Sequence, residues 1–101
     1  MHIISEKTLR DYWKKNRNAE PFLRLWIKDV EEAVWESPQD LIRDFPTASI
    51  LKNNRAVFRI NGNHLRLVAA IRYAFKNNQG TVFIRFIGSH ADYDKIDATT
   101  I

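Results

Sequence analysis

The apolar residues of this chain change their spacing partway along, and this change limits the folds that the chain can adopt. Residues 5–46 carry apolar residues at helical spacing, whereas from Ala48 onward apolar and polar residues alternate. A period near 3.6 predicts helices and a period of two predicts strands. Helices grouped before strands are typical of α+β proteins, in which helices cover one face of a mostly antiparallel, twisted sheet.

The first half of the chain predicts one strand and three helices. A short apolar strand at Met1–Ile4 precedes Ser5, which is a suitable N-cap for the first helix. Pro21 falls in the first turn of the second helix, where its missing N–H leaves no hydrogen bond unmade. The apolar stripe of this helix consists of Leu23, Trp26, Ile27, Val30 and Val34. Ser37–Pro38 ends it, and Ser37 and Asp40 have the capping-box spacing that begins a third, short helix.

The second half predicts a meander of antiparallel strands. The segments Arg55–Ile60 and His64–Phe75 both alternate, and a last strand follows at Thr81–Ile87. Asn61–Gly62 favours a tight turn with positive φ, and this loop would pair Arg59 with His64. A loop at Gly62–Asn63 is the alternative, and it leaves every side chain on the same face of the hairpin.

One face of this predicted hairpin is basic. It carries Arg55, Arg59, His64, Arg66 and Arg72. Because the helices cover the other face, we expect the basic face to be open. The face of Arg85 depends on the register of the loop before the last strand. After Gly88 the sequence predicts a short carboxy-terminal helix or tail.

Acidic residues are absent from the part of the chain that forms these strands. There is none from Phe45 to Ala91, where the bases are Lys52, Arg55, Arg59, Arg66, Arg72, Lys76 and Arg85. One sign of charge over this length gives a positive potential that attracts phosphates. We therefore expect nucleic acid as a partner, although any single Arg or Lys also serves to solubilise an exposed sheet.

The composition excludes several classes of function. The chain has no Cys, which rules out disulfides, zinc–cysteine clusters and a thiol nucleophile. Its basic half has no acid cluster for Mg²⁺ or Zn²⁺ and no glycine-rich phosphate loop, so we expect no metal, no cofactor and no NTPase activity. The 101 residues predict one domain spanning 1–101. No apolar stretch approaches the roughly 20 residues of a membrane span, and we expect a cytoplasmic protein without membrane contact.

A few residues have side chains suited to cleaving RNA without a metal. The reaction needs a base for the 2′-OH, a cation for the phosphorane and an acid for the leaving 5′-oxygen. His90 is a candidate acid or base, with Tyr93 and Asp94 on the same turn, and Arg66 can hold a phosphate with two parallel hydrogen bonds. Two other hypotheses stay open: a non-catalytic RNA- or DNA-binding module, and a protein-interaction domain that docks a partner through acidic helices.

Two segments of the sequence resemble the HigB family of type II toxins, which belongs to the RelE superfamily. They are VFRINGNHLRLV (Val57–Val68) and FIRFIGSHADYDKI (Phe83–Ile96). With the basic first helix, the tryptophan-rich second helix and the Ser37–Pro38 break, the resemblance covers nearly the whole chain. It implies a RelE-like fold and ribosome-dependent, metal-independent cleavage of translated mRNA through attack of the 2′-OH, which inhibits translation. The implied products are a 2′,3′-cyclic or 3′-phosphate and a 5′-OH.

The resemblance also assigns roles to residues. Asn63 and Arg66 match the family's Gly-Asn-x-x-Arg strand, and His90, Tyr93 and Asp94 match its terminal His-x-x-Tyr-Asp. We therefore expect Arg66, His90 and Tyr93 to be catalytic. The residues expected to bind RNA are Lys52, Arg55, Arg59, Asn61, Asn63, His64, Arg72, Arg85 and Asp94.

The sequence departs from the family pattern at two positions, and both bear on base preference. Leu65 replaces an aromatic residue expected before the Arg, and Arg59 stands where Asn is common. The partners implied by the resemblance are the ribosome, mRNA and a helix-turn-helix antitoxin of the HigA type. The complex of toxin and antitoxin is in turn a candidate to bind operator DNA.

Overall fold

The computed structural model of the chain describes residues 1–62 and 64–101. In it, one mixed sheet packs against helices. Its strands are β1 (His2–Ile4), β2 (Ser49–Leu51), β3 (Arg55–Ile60), β4 (Leu65–Arg72) and β5 (Thr81–Ser89). Its helices are α1 (Glu6–Lys15), α2 (Glu20–Glu32), α3 (Pro38–Asp44) and α4 (His90–Tyr93), and a 3-10 turn covers Arg17–Ala19. The predicted α+β class is confirmed. None of the helices described is long and apolar enough to cross a membrane.

Helices α1 and α2 bury their apolar sides against the sheet. The buried residues are Leu9 and Trp13 of α1 and Leu23, Trp26, Ile27 and Val30 of α2. The prediction that Val34 continues the stripe of α2 is wrong, because α2 ends at Glu32 and Val34 is 59% exposed. Ala33 is extended, so the chain leaves the helix there and Trp35 enters the core instead.

Helix α3 begins at the predicted capping box. The Asp40 backbone N–H donates to Ser37 Oγ at 3.4 Å, and the Glu36 backbone N–H donates to Asp40 Oδ2 at 2.9 Å. Its last residue, Asp44, accepts a hydrogen bond from Trp35 Nε1 at 2.9 Å. The fully buried Trp35 ring stacks on Phe58, which ties the α3 region to the sheet.

The strand order is β1-β5-β4-β3-β2, with β1 parallel to β5 and the other neighbours antiparallel. The predicted antiparallel meander is confirmed for β3, β4 and β5. The pairing of Arg59 with His64 is wrong, because Arg59 pairs with Arg66. The turn closes one residue later, since the His64 N–H donates to the Asn61 carbonyl at 3.2 Å. The observed register is that of the alternative loop, which leaves the faces of β3 and β4 as expected.

Strand β4 is shorter than predicted. It ends at Arg72 rather than Phe75, because the Ala74 N–H leaves the ladder and donates to the Trp35 carbonyl at 2.8 Å. Phe75 forms only an isolated bridge with Asn78. The alternating residues beyond Arg72 therefore belong to a loop that packs on the helical side of the molecule, and not to the strand.

The sheet face opposite α1 and α2 is partly covered by residues 94–101, which we call the tail. Val57 and Val68 are buried on this face in a cluster whose other members are Leu51, Phe86, Tyr93, Ile96, Ala98 and Ile101. The expectation of a fully open basic face is therefore wrong. The apolar residues of the tail follow no strand or helix period, so alternation along the strands did not predict that they return to the sheet.

Two side chains of the β2–β3 region hold the tail by hydrogen bonds. Arg55 donates to the Ile101 carbonyl from Nε at 3.1 Å and from Nη2 at 2.6 Å. Asn53 Nδ2 donates to the Thr99 carbonyl at 2.8 Å. Because Asn53 and Asn54 have positive φ, the turn before β3 directs these donors towards the tail.

Candidate active site

Arg66 lies near the start of β4, the central strand of the sheet, on the tail side. Its Cα pairs with Arg59 of β3 and with Gly88 of β5. Its residue exposure is only 7%, and Nη1 donates to the Leu65 carbonyl at 3.2 Å. A guanidinium that is both buried and hydrogen-bonded is held in place, which suits a group that must meet a phosphate in a fixed orientation.

His90 begins the short helix α4 directly after β5. Ser89 caps this helix, because its Oγ accepts a hydrogen bond from the Asp92 N–H at 3.1 Å. Since Gly88 is the strand partner of Arg66, the chain brings His90 within two residues of that partner. The imidazole Nδ1 lies 3.4 Å from Asp94 Oδ2, and both side chains are more than half exposed. An exposed imidazole with a carboxylate on one nitrogen leaves the other nitrogen available to a substrate.

Tyr93 occupies the last turn of α4 and is half-buried. Its ring packs in the tail-side cluster that contains Val57 and Val68. Val68 is two residues from Arg66 on the same strand and therefore on the same face. The structure thus places the three predicted catalytic residues near the same end of the β4–β5 pair, with Arg66 and Tyr93 on the tail side.

The predicted RNA-binding residues fall into separate groups. Arg59 lies across from Arg66, Asp94 contacts His90, and Lys52 is exposed in the turn after β2. Arg55 is engaged by the tail, as described above. Asn63 lies outside the described residues.

Arg72 and Arg85 are not part of the His90 end of the sheet. Arg72 pairs with Thr81, at the end of the β4–β5 ladder opposite Ser89, and its Nη2 donates to Thr81 Oγ1 at 2.9 Å. Six residues of strand separate it from Arg66, a span of about 20 Å. Both guanidiniums lie over the Phe83 ring, with Cζ 5.9 Å from its centroid for Arg72 and 5.7 Å for Arg85.

Asn61 and His64 line a cleft that the sequence did not predict. We call it the α1 cleft, because its opposite wall is the end of α1 with the 3-10 turn. It has a volume of about 560 Å³ and is lined by Tyr12, Lys14, Lys15, Asn16, Arg17, Asn18, Ala19, Asn61, His64 and Leu65. The basic stripe along α1 is the signal in the sequence that points to it. Burial, and then the charge of Asp92, raise the pKa of the Tyr12 hydroxyl above its ordinary value.

No metal centre accompanies these groups in the part of the chain that the structure describes. There, no three His, Asp or Glu side chains come together in a way that holds a metal ion. The chemistry available from the described residues is that of a fixed guanidinium, an imidazole paired with a carboxylate, and a phenol.

Comparison with known proteins matches most of the chain to a single family. The HigB toxin family model, described as the RelE-like toxic component of a toxin-antitoxin system, matches residues 19–96. An mRNA interferase HigB of Escherichia coli O6:H1 is 30% identical over 95% of this chain and 91% of its own length. The mRNA interferase toxin HigB of Escherichia coli K12 and the mRNA interferase HigB of Shigella flexneri are each 27% identical, over 93% of this chain and 88% of their own length. The chain belongs to the HigB family of RelE-like toxins, the toxic components of toxin-antitoxin systems.

Proposed function

We propose that this chain is an endoribonuclease that cleaves mRNA and thereby inhibits translation. The relatives above are named mRNA interferases, and they align with this chain over nearly its whole length. The observation that supports the proposal is the pairing of the buried Arg66 with Gly88, which precedes by two residues the His90 that begins α4. A module that only binds RNA does not need a buried Arg and an exposed imidazole near the same end of a strand pair.

In the proposed reaction, the 2′-oxygen of the ribose attacks the adjacent phosphorus. The 2′-OH loses its proton to a base, a five-coordinate phosphorane forms, and the bond to the 5′-oxygen breaks. Arg66 stabilises the extra negative charge of the phosphorane. His90 gives a proton to the departing 5′-oxygen, and Asp94 orients the imidazole and stabilises its charged form. The products are a 2′,3′-cyclic phosphate and a 5′-OH.

Tyr93 contributes to the same site, either by sharing the proton transfer or by stacking on a base. Its ring is held by the tail-side cluster next to His90. The variant Tyr93→Phe separates the two roles, because it keeps the ring and removes the hydroxyl. A large loss of rate in Tyr93→Phe assigns the hydroxyl to proton transfer, and a rate near that of the wild type assigns the ring to stacking.

The chemical step needs no divalent ion in this proposal. The sequence supports this, since it has no Cys and no acidic residue from Phe45 to Ala91. Ribosomes themselves need Mg²⁺, so the test uses a short RNA at high protein concentration with EDTA. Activity that is lost in EDTA and restored by added metal would contradict this part of the proposal.

We further propose that the toxin acts in the cytoplasm on mRNA that is being translated on the ribosome. As a toxic component of a toxin-antitoxin system, the chain has an antitoxin partner. The partner proposed here is a helix-turn-helix antitoxin of the HigA type, whose complex with the toxin binds operator DNA.

Induced expression in cells tests the proposal. Wild-type protein is expected to arrest growth and to produce new 5′ ends in cellular mRNA, mapped by primer extension. His90→Ala is expected to produce neither effect at matched expression, and co-expressed antitoxin is expected to suppress both. A wild-type protein that retards RNA and ribosomes but leaves every phosphodiester intact would instead be a binding module.

A further inference from the structure

The positive charges along α1 differ in what surrounds them. In the first half of the helix, Lys7 Nζ lies 2.6 Å from Asp11 Oδ2, and Arg10 Nη1 lies 3.3 Å from Glu6 Oε1. Beyond them, Lys14, Lys15 and Arg17 are exposed, and none forms an ion pair with any of residues 1–62 and 64–101. The charge of α1 is therefore largely neutralised at its start and concentrated at its end.

These three cations line the α1 cleft together with polar groups from the sheet. The opposite wall provides Asn61 and His64, so the cleft has cations on one wall and an amide and an imidazole on the other. The described residues that line it include no Asp or Glu. A groove of about 560 Å³ bounded by cations and amides has the chemistry of a site for a phosphodiester backbone.

The α1 cleft is adjacent to the candidate active site. Leu65 lines the cleft, and its strand partner Ser89 is the residue that caps α4. On the helical side, Tyr12 lines the cleft, and burial, followed by the charge of Asp92, raises the pKa of its hydroxyl. The cleft therefore borders the start of α4 through Leu65 and its partner Ser89.

We infer that the α1 cleft binds the sugar–phosphate backbone of RNA, with Lys14 and Arg17 contacting phosphates beside the cleaved bond. Only the position beside the cleaved bond rests on the proposed function. The RNA backbone comes from one of two sources, the mRNA or the ribosomal RNA, and both offer the same phosphates.

A matched pair of double variants tests the inference. Lys14→Ala/Arg17→Ala removes one Lys and one Arg from the α1 cleft, and Lys7→Ala/Arg10→Ala removes the same two residue types from the first half of α1. The probe is a fully 2′-O-methylated single-stranded RNA, which cannot undergo attack by a 2′-OH. Its affinity is measured by fluorescence anisotropy over a range of salt concentrations, and circular dichroism confirms that each variant is folded.

If the mRNA occupies the cleft, the cleft variant binds the probe more weakly by roughly 10- to 25-fold near 0.1 M salt, and its log–log salt slope falls by about 1.4. The control variant changes by less than about twofold, because its cations are already paired. If ribosomal RNA occupies the cleft, both variants bind the probe alike, but only the cleft variant no longer sediments with ribosomes. Equal behaviour of the two variants in both assays would overturn the inference.

These assays measure binding without cleavage, so they are independent of the proposed chemistry. A wild-type protein that cleaves RNA while the two variants behave alike refutes the cleft site alone. A wild-type protein that shows the cleft-dependent binding but cleaves nothing refutes the proposed function and leaves the cleft as an RNA-binding site.

Discussion

Arg66 combines burial with a charge, and this combination distinguishes it from the other Arg residues of β3 and β4. It is 7% exposed, whereas Arg59, across from it, is exposed. The sequence predicted the face of the hairpin on which Arg66 lies, because alternation along the strands gives the same face for both candidate loops. It did not predict the burial, which depends on neighbouring strands and on a tail whose path has no periodic signal.

We predict that Arg66→Ala lowers the single-turnover rate of cleavage by about 10²–10³, the typical effect of losing one donor to a transition state. Arg66→Lys keeps the charge and much of the buried stem but loses the two parallel hydrogen bonds, so we expect an intermediate rate. Rates are measured beside thermal unfolding midpoints. A folded Arg66→Ala protein that cleaves at the wild-type rate would remove Arg66 from the mechanism.

Asp97 provides a pH-dependent contact within the tail. Its Oδ1 accepts hydrogen bonds from Thr99 Oγ1 at 2.6 Å and from the Thr99 N–H at 3.0 Å, and these hold the pKa of Asp97 below the ordinary 3.8. Because the folded-state pKa is depressed, the carboxylate stabilises the fold above the unfolded-state pKa. That contribution is lost as the pH falls through the folded-state pKa.

We therefore predict that the wild type loses more stability than Asp97→Asn on acidification from about pH 6 to about pH 3. Urea unfolding at several pH values measures this difference. Parallel pH profiles for the two proteins would show that Asp97 does not contribute through its charge.

At the scale of elements, the turn before β5 depends on Gly80. Its φ is +82°, and an added Cβ would lie 2.7 Å from Met1 Cε and 2.8 Å from both the Ala74 nitrogen and the Arg72 carbonyl oxygen. Gly62 also has positive φ, +66°, but no described residue other than its chain neighbours lies within 4 Å of a Cβ placed there. The two glycines share a backbone conformation and differ in the space around them.

We predict that Gly62→Ala costs about 1 kcal/mol of unfolding free energy, the strain of a positive φ alone. Gly80→Ala adds a clash with backbone atoms and is expected to cost about 2–4 kcal/mol. Equilibrium unfolding in urea compares the two variants directly. Equal losses would mean that the region around Gly80 relaxes to admit the methyl group.

Arg55 shows that the charge of a basic residue in a strand does not by itself identify the group that the residue binds. The charge pattern predicted an RNA contact, but the guanidinium donates to the Ile101 carbonyl and so fastens the tail over Val57 and Val68. Arg55 and Ile101 are 46 positions apart, and no local sequence pattern around either residue predicts that they are in contact.

We predict that Arg55→Ala lowers the unfolding free energy by about 1.5–3 kcal/mol, the value of a hydrogen bond that involves a charged group. The control Lys28→Ala removes an exposed charge on α2 and is expected to stay within about 0.5 kcal/mol of the wild type. Two variants that unfold at the same urea concentration would show that the tail contributes no stability through Arg55.

The elements that the sequence predicted best are those with long, periodic segments. The apolar stripe of α2 and the capping box at Ser37 identified their helices, and β3 has the predicted bounds. The sequence did not predict the short edge strand β2, and it placed the end of β4 too late in the chain. Their limits depend on long-range hydrogen bonds, such as that from the Ala74 N–H to the Trp35 carbonyl.

At the scale of the whole molecule, one sheet brings together residues from both halves of the sequence. The basic end of α1 with Asn61 and His64 lines the α1 cleft, and Leu65 of the cleft pairs with Ser89, which caps the helix that begins with His90. The sequence identified the side chains suited to RNA cleavage, and two of its segments resemble one family. It did not identify the cleft, because this site exists only where α1 packs beside the sheet.

The central claim is that this toxin cleaves RNA with Arg66 and His90 as the acting groups. The most direct measurement is single-turnover cleavage of a defined message on programmed ribosomes by the wild type and by His90→Gln, with the chemistry of the new ends determined. We predict that the wild type leaves a 2′,3′-cyclic phosphate and a 5′-OH, and that His90→Gln binds nearly as well but cleaves far more slowly, since Gln cannot transfer a proton near neutral pH. An intact message with the wild type, or equal rates for the two proteins, would contradict the claim.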